Sequence, residues 1–144
     1  MLLGEFLCRT DGDGRLTIPA EFQAELVAGA TVTRGIERCL SVYPVAEWQR
    51  LVERMEKRLP VTSRQARAFR RLMFSAALTC VPDQRGQIGL PERLRQYADI
   101  QNEAVVVGLV SHVEIWSPGQ WQKVDAALAN DGVNLAEGLR DFGI

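Results

Sequence analysis

Apolar and polar positions along the chain form a pattern that occurs twice. Sliding the sequence along itself by 72 residues superposes Asp11 on Asp83, Gly14 on Gly86, Ile18 on Leu90, Pro19 on Pro91 and Phe22 on Leu94. One inserted residue later, Gly35 falls on Gly108, Tyr43 on Trp116 and Trp48 on Trp121. In each copy an apolar stretch, GEFLC or ALTCV, precedes an Asp/Gly turn, and a short segment, RLTI or QIGL, follows it. Proline then opens a short helix, with Phe22 and Leu26 on the apolar face of the first and Leu94 and Ala98 on that of the second. ATVTRGI with CLSVY, and AVVVGLV with HVEIW, read as strand pairs joined through a few polar residues, which predicts a hairpin in each copy. The unit reads β-β-α-β-β.

Helices trail each unit. Val45, Trp48, Leu51, Val52, Met55 and Leu59 recur at three- and four-residue spacing and predict an amphipathic helix that stops before Pro60. Ser63 reads as the N-cap of a second helix with Ala66, Phe69, Leu72, Met73 and Ala76 inward. Ser117 and Pro118 begin a matching helix after the second unit, carrying Trp121, Val124 and Leu128, and the Asn-Asp-Gly at 130–132 ends it before one more short turn with Leu135, Leu139 and Phe142. The expected organisation is a first repeat over residues 4–47, a helical connector over 48–75, a second repeat over 76–119 and a C-terminal helical segment over 120–144. Units of about forty residues rarely stabilise themselves. The fold class expected is therefore α+β: two tandem β-β-α-β-β repeats packed as a pseudo-two-fold unit around one shared sheet core, with amphipathic helices outside.

Composition narrows the class. A chain of 144 residues, 47% of them hydrophobic, buries roughly two-thirds of its unfolded surface and folds without disulfides or metal. Cys8, Cys39 and Cys80 are odd in number, far apart and outside any C-x-x-C spacing, so they read as buried reduced thiols suited to the cytoplasm. The N-terminal stretch has no basic region and Glu5 interrupts its apolar run, which excludes a signal peptide, and AVVVGLV is too short to span a bilayer. A soluble cytoplasmic protein with no membrane partner is expected.

The formal net charge of −1 excludes a protein that coats nucleic acid by bulk electrostatics and leaves room for a local basic surface. Residues 1–72 hold 12 Lys/Arg against 9 Asp/Glu, whereas residues 73–144 hold 5 against 9. The basic excess concentrates in residues 50–71, which read either as a solvated helical face or as a surface that pairs with acidic residues of the second half, in this chain or a neighbour.

The Asp/Gly turns could carry chemistry. Asp11-Gly12-Asp13 resembles the opening of an EF-hand loop, but Arg15, Leu16 and Phe22 stand where calcium needs oxygens or glycine, so no metal is expected. Neither a Walker loop nor a dinucleotide fingerprint is present. His112, the only histidine, reads as an exposed hairpin residue; there is no G-x-S-x-G and none of the cysteines has a local catalytic signature. No catalytic residue, cofactor or small-molecule substrate is expected, so the chain reads as a non-enzyme. Gly12 and Gly14 permit positive φ and would hold Arg15 at a protruding loop. Its planar fork suits a guanine edge, a phosphate, or Asp11 four residues back. On these residues alone, bracing of the turn and contact with nucleic acid both stand.

GEFLCRTDGDGRLTIPAEF with its D-x-x-x-R core, LSVYPVAEW, and RRLMFSAALTCVPDQRGQIGLPERLRQYADI followed by VVVGLVSHVEIW resemble the MraZ family of bacterial transcriptional regulators of the division and cell-wall gene cluster. The resemblance runs from Gly4 to about Trp121. It implies the AbrB-like swapped-hairpin fold, ring-shaped homo-oligomers, nucleoid association, and binding to double-stranded DNA at short direct repeats upstream of the protein's own operon. It further implies Arg9, Arg15, Arg85 and Gln87 as DNA-contacting residues, with Asp11, Gly12, Gly14, Asp83 and Gly86 shaping the loops. Two positions depart from the family pattern: Asp13 replaces the lysine before the Gly-Arg pair, and Gln87 replaces the arginine of the second loop, with Arg85 two positions earlier as the compensating charge. An oligomeric protein-interaction scaffold with weakened DNA binding is the alternative those departures raise.

Overall fold

The computed structural model describes residues 1–143. Among these residues there are eight strands and six α-helices, with the strand pairs of the two copies laid out alike. The first copy holds β1 (Leu2–Arg9), β2 (Arg15–Thr17), α1 (Ala20–Leu26), β3 (Ala30–Arg34) and β4 (Leu40–Pro44), and α2 (Val45–Arg58) and α3 (Arg64–Phe74) follow. The second holds β5 (Leu78–Cys80), β6 (Gln87–Gly89), α4 (Glu92–Tyr97), β7 (Glu103–Val110) and β8 (Val113–Trp116), then α5 (Pro118–Asn130), α6 (Gly132–Gly138) and a closing 3-10 turn (Arg140–Phe142). Pro19 and Pro91 stand immediately before α1 and α4, where their fixed φ sets the entry to each helix. Ser63 and Ser117 cap α3 and α5, their hydroxyls accepting from the amides of Ala66 at 3.2 Å and Gln120 at 3.3 Å.

Six strands form one antiparallel sheet in the order β1-β7-β8-β4-β3-β5, and β2 pairs with β6 in a separate two-stranded ribbon. Exchanging the two copies reverses that order onto itself, the signature of a pseudo-two-fold axis. Two pairings join equivalent residues and so lie on the axis: Leu16 opposite Ile88 in the ribbon and Ser41 opposite Glu114 in the sheet. The first strand of each copy leaves its own unit and pairs with the third strand of the other, β1 with β7 and β5 with β3.

The registers correct one equivalence expected from the sequence. Val32 lies beside Leu78 and Val42, and Val106 beside Phe6 and Ile115, so β3 and β7 stand 74 residues apart and Gly108 corresponds to Arg34, not Gly35. The connection from α4 to β7 is longer than that from α1 to β3, which shifts the strand. The two glycines have different duties. A Cβ on Gly108 would come within 2.6 Å of the Leu2 and Leu3 backbone, whereas one on Gly35 would meet Cys39 of its own hairpin.

One face of the sheet packs on α1, α4 and the ribbon. That core draws on both copies: Phe22, Leu16, Ile18 and Leu26 with Ile88, Leu90, Leu94 and Ile115 are all at most 2% exposed. Phe6 meets Phe22 edge to face, with ring centroids 5.2 Å apart. On the opposite face, Trp121 and Val124 of α5 pack on Val105, Val107 and Trp116. Over β3, the Thr33 hydroxyl donates to the Met73 carbonyl, and the Arg34 guanidinium donates to the Leu72 carbonyl at 2.8 Å and to Ser75 Oγ at 2.9 Å, tying the end of α3 to the sheet. His112 departs from its expected exposed position: it is half-buried and stacked on Tyr43, with ring centroids 4.6 Å apart, and burial holds its imidazole below the ordinary pKa. None of the helices among the described residues is long and apolar enough to cross a membrane.

Candidate nucleic-acid interface

Each Asp turn is closed by its own carboxylate. Asp11 Oδ1 accepts from the amides of Asp13 and Arg15, both at 2.9 Å, and Asp83 Oδ1 accepts from those of Arg85 at 2.8 Å and Gln87 at 2.9 Å. An aspartate satisfying the amides two and four residues on fixes a tight loop without help from any distant group. The Arg15 amide, with the Asp13 amide and the charges of Arg15 and Arg95, outweighs desolvation and holds Asp11 below the usual carboxylate range.

Gly14 and Gly86 take φ of +79° and +72° and close the turns. Gly12, expected to share that duty, has no positive φ, and a Cβ there would touch nothing within 4 Å. Its counterpart in the second loop is accordingly a glutamine, Gln84. The loops are also stitched to each other. The Ile18 amide donates to the Gly86 carbonyl at 2.8 Å and the Leu90 amide to the Gly14 carbonyl at 2.9 Å.

The loops lead into the ribbon, whose inner side is Leu16 and Ile88, 0% and 2% exposed. Strand alternation turns Arg15 and Thr17 of β2, with Gln87 and Gly89 of β6, to the other side. Arg15 is opposite Gly89 and Gln87 opposite Thr17, and Gln87 Nε2 lies 3.4 Å from the Thr17 hydroxyl. Because Asp11 is satisfied by main-chain amides, the bracing role open in the sequence belongs to the Arg15 backbone. The Arg15 guanidinium makes no hydrogen bond or ion pair among the described residues and is exposed.

Arg9 ends β1 and is exposed; it lines one groove with Thr17, at the foot of the ribbon. Arg85 occupies the tip of the second loop, at the position equivalent to Asp13, so the two tips carry opposite charge. The structure thus gathers Arg15 and Gln87 on one ribbon face, sets Arg9 beside it, and holds Arg85 at a loop tip.

Sequence reasoning missed Gln23 and Arg95. These equivalent residues on α1 and α4 each donate to a carbonyl in their own copy, Gln23 to Ile18 at 3.0 Å and Arg95 to Leu90 at 2.9 Å. Each also lies over the other copy's turn glycine, so that a Cβ on Gly14 would strike Arg95 and one on Gly86 would strike Gln23. Their 72-residue separation was the available signal.

The same doubling appears in comparisons with known proteins. The family model described as MraZ protein matches residues 1–72 and again residues 73–137. The chain belongs to the MraZ family. It is 46% identical to a protein of Herpetosiphon aurantiacus over the whole of both chains. It is 39% identical to one of Halothermothrix orenii, again over the whole of both, and 44% identical to one of Thermomicrobium roseum over 96% of this chain and 97% of the relative. Each of these relatives bears the name Transcriptional regulator MraZ. The seam between the two matched MraZ stretches, after Leu72, falls inside α3.

Proposed function

We propose that the protein is a sequence-specific DNA-binding transcriptional regulator, not an enzyme, with the AbrB-like swapped-hairpin fold. It binds direct repeats in double-stranded DNA upstream of its own operon in the division and cell-wall gene cluster, and acts in the nucleoid as a ring-shaped homo-oligomer. The names of the relatives support regulation. The exchange of first strands between copies supports the swapped-hairpin description, and the repeats it joins are taken as residues 4–47 and 76–119.

The observation that carries the DNA contact is the outer face of the ribbon. A two-stranded β-ribbon fits the major groove, and this one presents on one face the guanidinium of Arg15, unpaired among the described residues, and the amide of Gln87. Arg15 offers the bidentate fork for a guanine edge or phosphate, Gln87 a donor and acceptor pair for an adenine edge, and Arg9 and Arg85 supply flanking phosphate contacts. Asp13 beside Arg15 repels phosphate, and Gln87 lacks charge, so one protomer holds DNA weakly. Several ribbons in one ring turn later contacts into intramolecular ones and raise affinity roughly a hundredfold or more.

Fluorescence anisotropy on duplexes carrying the upstream direct repeats, against scrambled duplexes, tests this. Arg15→Ala is expected to weaken specific binding by about 1–3 kcal/mol. Unchanged binding would remove Arg15 from the site. Absence of any preference for the repeats in the unmodified protein would favour the scaffold reading instead.

A further inference from the structure

Two surfaces of the chain lack partners, and their charges are opposite. The C-terminal arm, α6 with the closing turn, leaves Val133, Leu135, Leu139 and Phe142 at 74%, 43%, 44% and 75% exposure. Residues 131–143 carry three carboxylates, Asp131, Glu137 and Asp141, against one cation, Arg140. No residue of α6 is buried, and its one substantial neighbour among the described residues is the closing turn. The root of the arm is fixed nonetheless, because Trp121 and Val124 of α5 sit on the sheet.

The other surface is the outer side of α2 and α3. Arg50, Glu53, Arg54, Lys57 and Arg58, spaced as one helical stripe, line a shallow groove along α2. Arg50 pairs with Glu47 and Arg70 with Glu56, but Arg54, Lys57, Arg58 and Arg64 have no carboxylate within ion-pair reach among the described residues. Val45 and Val61, 42% and 73% exposed, add apolar surface at the two ends of α2.

We infer that the C-terminal arm of one chain docks on the α2–α3 surface of a second copy. The arm's apolar side chains seat along the helices while Asp131, Glu137 and Asp141 meet Arg54, Lys57 and Arg58. This rests on the homo-oligomeric reading proposed above and names the surfaces that build it. Exposed apolar side chains of this density mark an association surface, and charge complementarity sets its register and selects the partner. Arm and helices are different patches, so the contact is heterologous, and it closes as a reciprocal exchange between two copies or as a ring.

Light scattering on full-length protein tests the inference. One variant carries Leu135→Ser, Leu139→Ser and Phe142→Ser, all at exposed positions. A second carries Arg54→Glu, Lys57→Glu and Arg58→Glu, a third Asp131→Lys, Glu137→Lys and Asp141→Lys, and a fourth combines both charge reversals. The first three are expected to fall to smaller species with unchanged far-UV circular dichroism, and the fourth to regain the assembly of the unmodified protein. Undiminished assembly of the serine variant would overturn the inference, as would failure of the combined reversals to restore it. A single-chain mass for the unmodified protein at every concentration would instead overturn the oligomeric reading itself.

Discussion

The loop aspartates show how one side chain settles a functional geometry. Asp11 binds the amides two and four residues ahead, and the guanidinium of Arg15 is left unengaged among the described residues. Glycine matters at one loop position and not at its neighbour. Gly14→Ala forces an alanine to φ +79° with its Cβ 2.9 Å from the Leu90 carbonyl oxygen, and is expected to cost about 1–2 kcal/mol or more in urea denaturation, whereas Gly12→Ala is expected to leave the midpoint unchanged. Buried thiols link stability to alkaline pH. Burial pushes the thiols of Cys8 and Cys39 up to about 11 and about 12. Their raised folded pKa favours the protonated native state, so this stability is complete below the ordinary thiol value and is lost as pH rises from about 9 toward 12. Denaturant midpoints measured across that range should fall. His112 works in the other direction: its lowered pKa adds stability above its ordinary 6.5 that is lost as pH falls through the native value. The NMR titration of this single histidine is expected to have a midpoint below 6.5.

At the scale of elements, much was readable because each signal was local. The helix α2, ending before Pro60, the serine caps at 63 and 117, and both hairpins follow from apolar period and capping chemistry, and the structure places them accordingly. Where the first strand of each copy pairs was not readable from that pattern. The alternation along β1 fixes its buried side but is silent on whether the neighbour is its own third strand or that of the other copy; the answer depends on the pseudo-two-fold packing of α1 and α4 beneath the sheet. The shift that parts Gly35 from Gly108 was hidden for a related reason, since two glycines aligned by chance of spacing while the strand register is set by the longer α4–β7 connection. The site was half legible: the D-x-x-x-R spacing marked the turn, but that Asp11 engages main chain rather than guanidinium, and that Gln23 and Arg95 cover the opposite glycines, needs the two copies face to face. The ribbon depends on its axial pair. Leu16→Ala, at a fully buried position, is expected to cost about 2–5 kcal/mol by chemical denaturation, and to weaken DNA binding by loosening the face that carries Arg15.

The whole molecule is two copies that cannot part. With β1 on β7, β5 on β3, the ribbon drawn from both halves and one core beneath, each copy alone keeps only its own hairpin, β3–β4 or β7–β8, as paired strands. Residues 1–72 expressed alone are expected to lack a cooperative unfolding transition; a stable, monomeric folded half would show that the exchange is dispensable. On the reading proposed above, a chain of net charge −1 holds DNA through a small local set of cations, Arg15 with Arg9 and Arg85, that assembly repeats. Binding to the upstream repeats, measured by anisotropy over a range of salt for the unmodified protein, Arg15→Ala and Gln87→Arg, tests this claim most directly. Gln87→Arg should bind more tightly and steepen the salt dependence by about one unit of slope, and Arg15→Ala should bind more weakly and flatten it by about one. Identical affinities and slopes for all three would place the DNA contact elsewhere on the molecule.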